Sequence, residues 1–186
     1  MDRNSTTDEE ILAMIRRKET FDEGFKRLME RYGRGLYWHI RHIVAGHDDA
    51  EDAFQETSIK IYEKIDSLNG DAGQMKGWIY KVATNEALQQ LRKRTTLFQS
   101  IDSLSEQLVE TMRADASADA EKAELLFEEA TLRLPTQQRI VFNMRYRDEL
   151  TYEQMSEATG NSISNLKTTY HYAYEKIRNY IQEHTE

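Results

Sequence analysis

The chain has 186 residues, 39% hydrophobic and 31% charged, with one proline, eight glycines and no cysteine. This length allows one domain or two small ones, and the scarcity of proline and glycine predicts mostly helix. The lack of cysteine excludes disulfides, thiol chemistry and cysteine-ligated zinc. No apolar run approaches the roughly 18 residues of a membrane span. The first ten residues are polar and acidic, so we expect a cytoplasmic protein with no signal peptide and no membrane insertion.

The charge of the chain argues against one class of protein, the free-standing basic DNA-binding protein. The formal net charge is −8 and the calculated pI is about 5.3. Residues 1–97 carry 16 basic and 17 acidic side chains, whereas residues 98–120 carry one basic and five acidic ones. Two segments of mixed charge therefore flank an acidic middle.

Two helices are predicted before residue 47. The pattern Thr7 to Glu10 is a capping box that predicts a short helix, and Thr20 to Glu23 predicts the start of a longer one. We expect Gly33 and Gly35 to loosen the longer helix and Gly46 to close it. His39 and His42, three residues apart on this helix, have no third metal ligand nearby, so we expect no metal site and no cofactor.

The third predicted helix, DDAEDAFQETSIKIYEKIDSL, begins with a cluster of acidic residues. The helix dipole favours negative charge at a helix N-terminus, and it explains these acidic residues as well as any function does. The apolar set of this helix faces a core, which leaves an acidic, amide-bearing surface outside. Docking of a basic partner is the functional interpretation of that surface. Its members are Asp52, Gln55, Glu56 and Ser58.

The stretch Met75 to Arg94 is the most informative part of the sequence. Apolar residues recur at helical spacing along it and predict an amphipathic helix. The opposite face carries amides and cations at steps of four, four and three: Lys81, Asn85, Gln89 and Arg92. A cation meets a phosphate and an amide can pair with a base edge, and Trp78 and Tyr80 are placed to stack on an unpaired base. An ordinary bundle helix with a solvated polar face is the alternative.

The C-terminal third predicts a helix-turn-helix. Residues 97–119 are polar and weakly periodic, which predicts a linker; a helix inside it, around Leu104–Met112, is left open. A loosely packed fifth helix of the first domain is the alternative. After it, Thr151 to Gln154 forms a capping box, Gly160 suits a left-handed turn and Ser162 caps a final helix. The first residues of that helix would face base edges in a major groove. They are Ser164, Asn165, Lys167, Thr168, His171 and Tyr172. A plain helical hairpin is the alternative.

Two segments together resemble one family. DAEDAFQET followed by GWIYKVATNEALQQLRKR resembles region 2 of the sigma-70 family, and LRLPTQQRIVFNMRYRDELTYEQMSEATGNSISNLKTTYHYAYEKIR resembles its region 4. With only these regions, the chain resembles an extracytoplasmic-function (ECF) sigma factor. The resemblance implies an all-α protein of two small helical domains. They are a four-helix region 2 domain at 1–96 and a region 4 helix-turn-helix domain at 120–186, joined by the linker at 97–119.

The resemblance also implies roles for residues, and it implies core RNA polymerase, promoter DNA and an anti-sigma factor as partners. Docking on polymerase is expected of Asp49, Glu51, Asp52, Gln55 and Glu56. Recognition of the −10 element is expected of Asn69, Asp71, Trp78, Lys81, Asn85, Gln89, Arg92 and Arg94. Recognition of the −35 element is expected of Ser164, Asn165, Lys167, Thr168, His171 and Tyr172. The recognition helix departs from the family, because it reads TTYHYAY where arginines are frequent.

Two other functions are open to this sequence. A stand-alone helix-turn-helix regulator is the alternative, although it leaves the acidic third helix and the Met75–Arg94 face unexplained. An enzyme is not expected, because no phosphate-binding glycine loop and no serine–histidine–acid set is evident. We also expect the two domains to move independently in the free protein, with the segment 98–120 cut first by proteases.

Overall fold

The structure, a computed structural model, describes residues 6–95, 101–115 and 122–185, and within these residues it contains helices and no strands. In these three described stretches, two short 3-10 helices, Lys18–Thr20 and Ile65–Ser67, accompany nine α-helices. The α-helices are α1 Asp8–Ile15, α2 Phe21–Val44, α3 His47–Lys64, α4 Ala72–Thr95, α5 Ile101–Asp115, α6 Lys122–Leu132, α7 Thr136–Tyr146, α8 Tyr152–Thr159 and α9 Ile163–His184. In this described part no helix is long and apolar enough to cross a membrane.

Most helix ends lie where local sequence signals placed them. The capping boxes at Thr7 and Thr151 are both formed, each with its side chain accepting from the backbone N–H three residues on. Gly160 ends α8 with φ of 74°, and the Ser162 side chain caps α9. These caps and the turn confirm the predicted helix-turn-helix of α8 and α9. The motif could be predicted because its caps and turn are formed by residues close together in the chain.

Three local predictions were wrong. Thr20 does not cap α2, because its hydroxyl donates instead to the Met14 carbonyl at 2.8 Å. Gly46 does not close α2 either: Ala45 takes the positive φ of 62°, and Gly46 is the N-cap of α3. Gly33 lies within α2, which runs unbroken through it. Packing of a 24-residue helix against its neighbours outweighs the helix-breaking tendency of a single glycine.

Helices α1 to α4 form the N-terminal bundle. α2 packs against α1, α3 and α4, and α3 packs along α4. The predicted apolar stripe of α4 is buried in this bundle: Met75, Ile79, Ala83, Ala87 and Leu91. Burial of this stripe fixes the rotation of α4, so its polar face must point outward.

Helices α6 to α9 form the C-terminal region, in which α9 packs against α6, α7 and α8. The segment between the two regions contains α5, which packs on α6. Leu108, Val109 and Met112 of α5 are buried. The predicted linker thus contains a packed helix, which the sequence left open.

The two regions are packed against each other. The contact of α4 with α8 is more extensive than its contact with α2 or α3, and α7 also packs on α2. One buried apolar cluster includes Met75 and Ile79 of α4 together with Met155 and Ala158 of α8. This contact was not expected from the sequence, which predicts two independently moving domains, because more than 50 residues separate the two helices.

Candidate polymerase and nucleic-acid interfaces

The polar face of α4 is a continuous exposed row. Lys81, Asn85, Gln89 and Arg92 are all exposed to solvent. Residues three and four apart stack on one side of a helix, and the buried stripe turns this side outward. The row therefore presents cations and amides together, which can hold a phosphate and pair with a base edge. The side chain of Arg94 lies outside the described residues.

Two polar contacts hold α4 on α3. The Lys60 ammonium lies 2.7 Å from a carboxylate oxygen of Glu86, and the Gln90 amide donates to Asp49 Oδ1 at 3.0 Å. Glu86, the acidic exception on α4, is buried, so its charge is compensated locally and does not repel an approaching phosphate. These contacts set the rotation of the α4 row relative to α3.

The acidic surface of α3 and the α4 row meet in one groove with a cavity volume of about 470 Å³. The groove brings together predicted residues from both sets, Asp52, Gln55 and Glu56 from α3 and Gln89 from α4. It also contains four side chains that sequence reasoning did not assign: Lys60, Glu86, Gln90 and Lys93. Glu51 is exposed nearby and lies 3.2 Å from the His47 ring.

The loop before α4 is fixed at its end. Asp71 caps α4, because Asp71 Oδ1 accepts from the Gln74 backbone N–H at 2.9 Å and the Gln74 side chain accepts from the Asp71 N–H at 3.0 Å. The Arg16 guanidinium donates to the Gly70 carbonyl. Asn69 is exposed. Asp71 thus has a structural role in addition to any contact with DNA.

The two aromatic residues assigned to base stacking differ in position. Trp78 is half-buried against the core and keeps one side accessible. Tyr80 is only 4% exposed and its ring lies 5.2 Å from that of His39. Burial raises the pKa of Tyr80 well above its usual range, with Asp148 adding to the effect. The prediction that Tyr80 stacks on a base was wrong, because the residue faces the interior.

The predicted recognition helix α9 displays its polar residues. Ser164, Asn165, Lys167, Thr168, His171 and Tyr172 are all exposed, while Leu166, Ala173 and Ile177 are buried beneath them. The Lys167 ammonium lies 5.5 Å above the ring of Tyr152, a weak cation–π contact. A single lysine among hydroxyl, amide, imidazole and phenol groups gives this surface little positive charge.

The two histidines of α2 are occupied by internal contacts. His39 Nδ1 lies 2.6 Å from Asp148 Oδ2 and its Nε2 lies 2.9 Å from the Thr84 hydroxyl. His42 Nε2 accepts from the Arg147 guanidinium at 2.9 Å. Both histidines of α2 therefore connect the N-terminal bundle with the residues at the end of α7.

Comparisons with known proteins match both halves. The family model for sigma-70 region 2 matches residues 28–96 and the model for sigma-70 region 4 matches residues 124–177. The ECF RNA polymerase sigma factor SigW of Bacillus subtilis is 25% identical over 175 residues, which cover 89% of this chain and 93% of that protein. The ECF RNA polymerase sigma-E factor of Escherichia coli is 25% identical over 186 residues, covering 95% of each.

Solved structures agree on the fold. The sigma factor RpoE in complex with the anti-sigma factor NepR from Bartonella quintana covers 86% of this chain with a TM-score of 0.66 and 20% identity, and 98% of that chain is matched. CnrH in complex with the cytosolic domain of CnrY covers 95% of this chain and is itself 98% covered, with a TM-score of 0.69 and 15% identity. The two family models in this order span two thirds of the sequence, and the chain belongs to the sigma-70 family, as a member of its ECF group.

Proposed function

We propose that this protein is an ECF sigma factor that brings core RNA polymerase to specific promoters in the bacterial cytoplasm and starts transcription there. It is not an enzyme in this proposal, since the polymerase carries out the chemistry. The observation that carries the proposal is the exposed α4 row of Lys81, Asn85 and Gln89 beside the acidic α3 surface, within a chain that has both sigma regions. The region 2 domain comprises residues 1–96, the linker 97–119 and the region 4 domain 120–186.

In this proposal, three surfaces of the protein have separate binding roles. The acidic side of α3, Asp49, Glu51, Asp52, Gln55 and Glu56, docks on polymerase. The loop at Asn69 and Asp71 and the α4 row, with Trp78 and Arg94, read and hold the −10 element as its strands separate. The start of α9 reads the −35 element. The net charge of −8 is compatible with this role because polymerase, rather than the sigma factor, supplies most of the positive channel.

The test is run-off transcription with core polymerase on a genomic promoter library. We expect transcripts from a defined set of promoters only when the protein is added. A stand-alone helix-turn-helix regulator predicts the opposite pattern: salt-resistant DNA binding without polymerase and no new transcripts.

We also propose an anti-sigma protein as a partner. Support comes from the two structural relatives, of which RpoE was solved with its anti-sigma factor NepR and CnrH with part of CnrY. Affinity purification from the native cell should recover a protein that suppresses the run-off transcripts when it is added back.

A further inference from the structure

The buried side of α9 determines which of its residues can meet DNA. Leu166, Ala173 and Ile177 are buried and share one side of the helix. The opposite side carries five exposed residues, which we call the reading face: Ser164, Asn165, Thr168, His171 and Tyr172. The chemistry of these side chains limits which bases the helix can recognise.

The reading face lacks the side chains that usually recognise a G·C pair. Guanine is bound mainly by arginine or lysine, and cytosine by a carboxylate that accepts from its amino group. Residues 163–174 contain no arginine, aspartate or glutamate and a single lysine. Arg178 is paired with Glu175 and lies about 21 Å along the axis from Ser164, at about 1.5 Å per residue. The N-terminal residues of a recognition helix contact the bases, so Arg178 lies beyond them.

The single lysine of this segment lies beside the reading face. Lys167 comes directly before Thr168 and is therefore rotated about 100° from it around the helix. Its ammonium lies 5.5 Å above the ring of Tyr152, at the start of α8. This position suits a contact with backbone phosphate, which carries no sequence information.

The amide of Asn165 is suited to adenine. The Ser162 side chain accepts from the Asn165 backbone N–H at 3.2 Å, which fixes the backbone of this residue in the first turn of α9. The Thr169 hydroxyl lies 3.5 Å from Asn165 Oδ1, which is longer than an ordinary hydrogen bond between these atoms. The amide is therefore weakly held and can donate and accept at an adenine edge, the usual partner of an asparagine.

The methyl group of Thr168 is suited to thymine. The Thr168 hydroxyl donates to the Ser164 carbonyl at 3.1 Å. Because the hydroxyl and the methyl group share one carbon, this bond turns the hydroxyl toward the helix and leaves the methyl group at the surface. Tyr172, one turn later, is 57% exposed and adds an aromatic ring. Threonine methyl groups and aromatic rings make apolar contacts with the thymine methyl group.

We propose that α9 selects a −35 element of A·T pairs, in which Asn165 binds adenine while Thr168 and Tyr172 pack on thymine methyl groups. The proposal rests on the proposed function as a sigma factor and names the bases that this function requires. Guanine and cytosine are not selected at any position of the element, because the reading face has no arginine and no carboxylate.

A library of −35 sequences gives the first test. A promoter recovered in the run-off experiment keeps its −10 element, its −35 positions are randomised, and the transcripts made by the holoenzyme are sequenced. We expect adenine or thymine to be enriched about tenfold at the contacted positions, the effect of one good base contact. A position that selects guanine or cytosine, or a library without any preference, would overturn the proposal.

Removing the thymine methyl group tests the contact of Thr168. Deoxyuridine replaces each selected thymine in turn, which removes the methyl group and keeps the hydrogen-bonding edge. We expect transcription by the wild-type holoenzyme to fall about fourfold at a contacted thymine, the effect of burying one methyl group. In Thr168→Ser, which keeps the hydroxyl, one of these positions should no longer distinguish thymine from deoxyuridine. The matched control Thr169→Ser should respond as the wild type does, and an equal response of all three proteins contradicts the assignment of Thr168.

A change of preferred base tests Asn165. Asn165→Asp keeps the size of the side chain and adds a negative charge in the first turn, which the helix dipole tolerates. A carboxylate accepts from cytosine and cannot donate to adenine N7. We therefore expect one library position to change its preference from adenine to cytosine. A loss of activity with an unchanged preference would make Asn165 a structural residue.

The outcomes separate this proposal from the proposed function. A wild-type chain that gives no transcripts with polymerase overturns the proposed function, and the −35 proposal fails with it. Transcripts from promoters that select guanine in the −35 element support the sigma-factor function and overturn the base assignment alone. Selection of A·T pairs together with the two altered responses supports both.

Discussion

The N-terminal and C-terminal regions bury their apolar residues in different ways. Helices α1 to α4 supply most of one large cluster by themselves. Helices α6, α7 and α9 share only a small cluster of their own, Ala130, Leu134, Phe142, Ala173 and Ile177. Other apolar residues of the C-terminal region, including Met144 and Met155, belong to the large cluster. The C-terminal region thus depends on the N-terminal bundle for part of its core, whereas the bundle depends less on its partner.

The two DNA-facing helices differ as well. α4 presents an exposed row of two cations and two amides, fixed on α3 by the pair of Lys60 and Glu86. The first half of α9, residues 163–174, presents one lysine and two exposed tyrosines, Tyr172 and Tyr174, which are 57% and 47% exposed. We therefore expect the N-terminal region to supply both polymerase affinity and most base discrimination, with the C-terminal region adding a weaker contact.

Charge reversal on α3 should have the largest effect, because it acts on the surface that is proposed to dock on polymerase. Changing Asp52 and Glu56 to Lys places two cations in the groove where a basic partner is proposed to dock, so we expect co-purification with core polymerase to be lost. The helical circular dichroism should stay intact because both side chains are exposed. The charge-matched control is Glu19→Lys/Glu30→Lys, outside the groove, which should bind normally. Retained binding by the first variant would remove α3 from the docking surface.

Expressing the two regions as separate fragments should lower the stability of the C-terminal region more than that of the N-terminal bundle. A fragment of residues 120–186 loses the N-terminal part of the large apolar cluster to which its own Met155 and Leu166 belong. We expect it to unfold at least about 10 °C below the fragment 1–96, since about 1 kcal/mol shifts the midpoint of a domain of this size by 4–8 °C. Thermal circular dichroism of both fragments measures this. Equal midpoints would mean that the interface contributes little to the stability of the C-terminal region.

Two substitutions in the α4 row should sharpen its assignment. Asn85→Ala should relax base preference at one or two −10 positions, because a good amide–base pair is worth about 1–3 kcal/mol of discrimination. Lys81→Ala should instead weaken promoter opening on all sequences and reduce its salt dependence. Transcription from a −10 library at two salt concentrations distinguishes them. A uniform loss with an unchanged sequence preference would make Asn85 a structural residue.

The smallest expected effect is that of acid, which should lower the stability of the packing between the two regions through His42. Burial lowers the pKa of His42 to about 3 from an ordinary 6.5, and the charge of Arg147 and the neighbouring His39 and Arg41 add to this. The folded protein therefore favours the neutral imidazole of His42. Its contribution to the packing of the two regions is complete above pH 6.5 and is lost as the pH falls toward 3.

The loss amounts to at most about 1.4 kcal/mol per pH unit for one proton. The nearby acidic groups are Glu128, which pairs with Arg147 at 2.7 Å, and Asp148, which lies 2.6 Å from the ring of His39. Thermal unfolding of the full chain between pH 7 and 5 should show the effect. His42→Gln, which keeps an acceptor for Arg147 but does not titrate, should flatten the curve; an equal slope in both proteins would assign the pH dependence to other groups.

Local signals in the sequence determined the helices, the two caps at Thr7 and Thr151, the turn at Gly160 and the outward direction of the α4 row. Each depends on hydrogen bonds or periodicity within a few residues, so the information lies in the segment itself. Tertiary structure decided the rest. Tyr80 is buried with its ring against that of His39, Ala45 rather than Gly46 takes the positive φ, and Gly77 lies against Gln154 and Glu157 of α8. These outcomes depend on which distant helices meet, and no short segment encodes that.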